Sequence, residues 1–109
     1  MAAVETQTAE TEDVDDRDRR AAEEAMAVLP VDEDRYRVYS GAHSDYLVDL
    51  RDASCECADW EYREPEGGCK HARRVLLSLG RREIPDGVRV DPALRCQRDR
   101  LAGGNGGGA

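Results

Sequence analysis

The sequence predicts an α+β fold: a small β-hairpin stapled to the helix that follows it, with an N-terminal helix and disordered tails. Two alternating runs, residues 35–39 and 45–50, predict the strands. An apolar stripe at helical spacing, Ala72, Val75, Leu76 and Leu79, predicts the helix. Cys55, Cys57, Cys69 and His71 lie between the two and supply the staple.

Residues 1–15 read as a disordered acidic tail. Residues 1–18 hold seven acids against one base, Arg17, with Val4 and Val14 as the sizeable apolar side chains. Residues 16–30 read as a helix, because Ala22, Ala25, Met26 and Leu29 recur at helical spacing before Pro30 stops the run. The main domain is expected over residues 31–91. Tyr36 and Val38 would face Tyr46, Val48 and Leu50 across the hairpin, while Arg35, Arg37, Asp49 and Arg51 take the other face. A lone hairpin is unstable, so the stripe of the later helix should cover it, with Gly80 as its stop. Residues 84–87 read as a turn and residues 88–90 as a short strand. Residues 92–109 read as a flexible, Gly-rich tail.

Composition sharpens the need for a staple. The chain has 109 residues, 39% of them apolar, and no Phe. Without its polar ends, roughly 50 to 60 residues remain to build a core, a size at which a metal or disulfides usually supplement burial. No secretory leader and no membrane-length apolar stretch is visible in the sequence, so a cytoplasmic location is expected. In a reducing compartment clustered Cys and His indicate metal rather than disulfides. The formal charge is −8, with 24 acids against 15 Arg and one Lys. That balance fits a protein kept soluble in strong salt, as in a salt-accumulating archaeal cytoplasm, and it disfavours non-specific binding to phosphate backbones or anionic lipid.

The pattern Cys55-x-Cys57, eleven residues, Cys69-x-His71 offers three thiolates and one imidazole, a common structural Zn²⁺ set. Two residues along a regular helix turn through about 200°. Cys69 should therefore sit in the loop and His71 in the first helical turn, with Gly67 and Gly68 allowing a sharp approach. Three thiolates leave the centre with one negative charge, which Lys70, Arg73 and Arg74 are near enough to balance. Catalytic zinc keeps a water in place of a fourth protein ligand; four ligands are available here, so no enzyme activity and no small-molecule substrate are expected. His43 and Cys96 read as spare, outside the ligand set.

These residues resemble the SWIM-type zinc finger, C-x-C-x(n)-C-x-H, over about residues 35–80. Asp59-Trp60 and the Cys69-Lys70-His71 helix start strengthen the resemblance, and Asp59 and Trp60 read as structural support; Ala58 stands where many members have Pro. The resemblance implies a β-hairpin followed by a helix, zinc binding, and an interaction role toward protein or DNA. Lys70, Arg73, Arg74, Arg81 and Arg82 are the candidate contacts, with no acid between Gly67 and Arg82. Two readings follow: an adaptor for a protein partner, or a sequence-tolerant nucleic-acid finger using the Arg-rich helix. Phosphate contacts lose about 0.9 decade of affinity each per decade of salt, which weighs against the second in a saline cell. Pairing of these cations with Asp59, Glu61, Glu64 or Glu66 is the competing structural explanation.

Overall fold

The computed structural model describes residues 15–41 and 44–103. Four antiparallel strands, β1 (Met26–Pro30), β2 (Arg35–Ser40), β3 (Asp45–Asp49) and β4 (Ser54–Cys55), form one sheet in the order β1-β2-β3-β4. Helices α1 (Asp16–Glu23), α2 (Ala58–Arg63), α3 (Lys70–Ser78) and α4 (Pro92–Gln97) accompany it, and a π-helical turn, Arg98–Gly103, follows α4. The α+β class and the hairpin followed by a helix are as expected. The flanks are not.

In the predicted hairpin Tyr36 stands opposite Val48 and Val38 opposite Tyr46. Tyr36, Val38 and Val48 are buried, and they pack with Ala72 and Val75 of α3. On the outer face Arg37 pairs with Asp45 at 2.8 Å, while Arg35 turns to Asp32.

The helix expected over residues 16–30 ends at Glu23, and Met26–Pro30 is instead an edge strand. Met26 and Val28 are buried while Ala27 and Leu29 face out, a period of two rather than 3.6. Short apolar runs satisfy both periods, and pairing with β2, Val28 opposite Val38, decides the matter. Pro30 suits the edge, where a missing N–H costs no ladder bond.

The tail expected over residues 92–109 is also corrected. Asp91 caps α4 by accepting from the Ala93 N–H, and Pro92 opens the helix. Leu94 is fully buried against Ala21, Ala22 and Leu77, with Ile84, Val88 and Val90 packed around them. Residues 88–90 form no strand; Val88 and Val90 serve this second core. The finger helix α3 is thus covered on both faces, by the sheet on one and by α1 and α4 on the other. The expected acidic tail, apart from Asp15, His43 and the end of the Gly-rich segment lie outside the described residues.

Candidate metal centre

Cys55 ends β4, Cys57 and Cys69 stand immediately before the first residues of α2 and α3, and His71 sits in the first turn of α3. Cys69 therefore precedes the helix and His71 enters it, as the 200° argument required. All four are buried, and their ligand atoms lie within 4.8 Å of one another. His71 Nδ1 is 3.7 Å from Cys55 Sγ and 3.8 Å from Cys69 Sγ. A tetrahedron with ordinary Zn–S and Zn–N lengths has S···N edges of about 3.6 Å, so the cluster fits Zn²⁺ nearly as it stands.

The approach to Cys69 depends on two glycines with positive φ, +84° at Gly67 and +94° at Gly68. A Cβ on Gly68 would meet the Ala72 Cβ at 3.0 Å. The chain can therefore pass over the start of α3 only without a side chain there.

Proton sharing dominates the thiols when no cation is present. A hydrogen bond from Cys55 holds Cys69 down to about 4, aided by His71 and the Ala72 N–H and opposed by burial. That same hydrogen bond, with burial, pushes Cys55 up, and burial chiefly raises Cys57. One thiolate is tolerated and further ones are resisted. A divalent cation removes this conflict, so zinc binding must release protons.

Support comes from all sides. Asp59 accepts from Arg17 Nε at 2.8 Å and Nη2 at 2.9 Å, tying α2 to α1. The Arg17 bond lowers Asp59 to about 2. Trp60 packs, partly buried, against the main core. Tyr46 lies against the His71 ring with centroids 4.4 Å apart.

The five candidate contacts separate. Arg73 and Arg74 are 3% and 0% exposed and face inward, which corrects their expected place on a contact surface. Arg73 donates to the carbonyl oxygens of Gly68 at 2.8 Å and Glu66 at 2.8 Å, and pairs with Asp18 at 3.2 Å. It therefore braces the Gly67-Gly68 turn against α1. Arg74 donates to the carbonyl oxygens of Ala21, Glu24 and Met26, and to Asp91 and Gln97. Arg82 is held by Asp18 at 2.8 Å and Lys70 by Glu24 at 2.7 Å. Arg81 is exposed. The pairing acids include Asp18 of α1, Glu24 just beyond its end and Asp91 before α4, rather than Asp59, Glu61, Glu64 or Glu66.

The sequence reading missed this role for Arg74. A signal was present: Leu77, one turn along from Arg74, lies off the predicted stripe, so α3 has a second apolar face needing cover.

Residues 46–80 match the family model of the SWIM zinc finger. No curated protein and no solved structure matches the chain. Among the described residues no helix is long and apolar enough to cross a membrane. The spacing, the buried cluster and the family match agree: residues 46–80 are similar to the SWIM zinc finger, and Cys55, Cys57, Cys69 and His71 form a cluster that fits Zn²⁺.

Proposed function

We propose that this protein is a non-catalytic, zinc-stapled adaptor of the cytoplasm that engages a protein partner. The observation that carries the reading is the inward commitment of the Arg-rich helix. Arg73 and Arg74 are spent on backbone carbonyls and on Asp18 and Asp91, and Arg82 is spent on Asp18. A phosphate backbone is followed by successive cations along a surface, and this helix offers few. Four buried candidate ligands lie within 4.8 Å of one another, enough for a four-coordinate site with no metal-bound water, which supports a structural rather than a catalytic ion.

The nucleic-acid reading keeps Lys70, Arg81 and Arg82 as its contacts. A mobility-shift series across salt concentrations, with duplex and single-stranded DNA, separates the two. The adaptor reading expects no shift at any salt with zinc-loaded protein. A shift at low salt that disappears in Lys70→Ala/Arg81→Ala, zinc retained, would assign the protein to nucleic acid instead.

A further inference from the structure

A cleft of 490 Å³ opens beside the metal centre, with Cys57 and His71 in its lining. Arg17 and Arg20 of α1, Arg63 of α2 and Lys70 of α3 border it, against two carboxylates, Asp16 and Asp59. Glu24, which holds Lys70, and the single negative charge of a zinc centre with three thiolates bring the surroundings to neutral. The whole chain carries −8. This is a local relief from the acidity of the rest.

Its walls are rich in donors. Guanidinium and ammonium groups donate and never accept. Asp59 alone serves two of them, Arg17 at 2.8 Å and Arg63 at 3.4 Å. The partners of Arg20 and Arg63 are surface pairs, with those two side chains 56% and 73% exposed. Such exposed pairs add little net stability, so an incoming carboxylate can exchange for them at little cost.

His71 gives a second indication. Its Nδ1 faces the thiols of Cys55 and Cys69, which leaves the N–H on Nε2 when metal is bound. A ligating histidine ordinarily hands that N–H to a carboxylate, a carbonyl or water. Among the described residues no hydrogen bond reaches it.

We propose that this cleft is a carboxylate-binding pocket that receives an acidic segment of a partner protein. The proposal rests on the adaptor reading and gives it a site. A peptide is favoured over a nucleic acid because the cations are confined to one cleft. Of the neighbouring cations that would extend a track, Arg73 and Arg74 are buried and Arg82 is paired with Asp18. A net charge of −8 also repels a long polyanion beyond the cleft, while one or two carboxylates meet only the local field.

The test is an NMR titration of the zinc-loaded full chain with a short poly-glutamate peptide, and with an oligothymidylate of equal charge. The peptide should move the amide signals of Ser44, Tyr46 and Lys70. Its affinity should fall at least about tenfold in Arg20→Glu/Arg63→Glu, two charge reversals at exposed pairs, with zinc content unchanged. Arg63→Ala alone, on a side chain 73% exposed, should give a smaller loss in the same direction. Absence of binding, or binding untouched by both variants, overturns the pocket while leaving the adaptor reading in place. Tighter binding of the oligothymidylate overturns both, and assigns the cleft to phosphate.

Discussion

Arg74 Nη2 donates to the Met26 carbonyl oxygen at 2.9 Å in the interior, where the zinc-finger helix meets the edge strand. The same side chain holds the carbonyl oxygens at the end of α1 and the Asp91 carboxylate before α4. One guanidinium thereby joins three elements that lie outside the finger itself. The folding unit is larger than the finger, and α1, β1 and α4 belong to it.

Arg74→Ala should accordingly be severe. It leaves Asp91 and several carbonyls without their donor, a loss of about 3–5 kcal/mol for a broken buried pair. Arg74→Lys should rescue little, since an ammonium cannot reproduce the planar fork. Denaturant unfolding of zinc-saturated protein measures both; a change below about 1 kcal/mol, the scale of a surface pair, would show the hub to be dispensable.

Gly68→Ala should weaken zinc binding without touching a ligand. The added Cβ meets Ala72 at 3.0 Å, and the φ of +94° is one that side chains rarely adopt. Holding such a backbone costs about 1–3 kcal/mol, which appears as lower metal affinity because zinc binding and folding are coupled. A competitive chelator titration reads the difference, and equal affinities would mean that the turn is not a constraint.

Ligand substitutions divide the cysteines. Cys57→Ala should abolish stoichiometric zinc and the folded circular dichroism spectrum together. Cys96→Ser should change neither, since Cys96 is exposed and apart from the cluster. A variant at Cys96 with reduced metal content would show the ligand set to be wrong.

Acid should remove the metal before it breaks the ionic clasps. Asp59 is depressed from 3.8 to about 2 by Arg17. A carboxyl depressed on folding stabilises fully above its unfolded value and loses that effect as pH falls through the folded one. The clasp therefore fails between about 4 and about 2. Protons compete for Cys55 and Cys57 at higher pH, because both thiols are raised. Zinc release and loss of fold should coincide above about 4; a fold that outlives zinc and melts only below that would make carboxylate pairs the main support.

The sequence was most informative where chemistry restricts it most. Cys55, Cys57, Cys69 and His71 were legible because few residue types ligate zinc, and the alternation around Tyr36, Val38 and Val48 because one sheet face must be buried. Residues 26–30 were misread as helix because five apolar residues fit either period, and only their pairing with β2 removes the ambiguity. The helix at Pro92 carried a readable start, Asp91-Pro92, but one large apolar side chain, Leu94, was too little to reveal its docking. Arg73 and Arg74 looked like surface because charge is ordinarily exposed. Their partners are mostly backbone carbonyls and acids distant in sequence, which no local pattern reveals.

With Zn²⁺ at the four ligands, one ion ties the exit of the sheet to the start of α3, and the whole fold should depend on it. The most direct measurement is strong chelation under reducing conditions, followed by circular dichroism and amide NMR, and then readdition of one equivalent of Zn²⁺. The dispersed spectrum should collapse on chelation and return with the metal. A native spectrum that persists with no metal bound would contradict it.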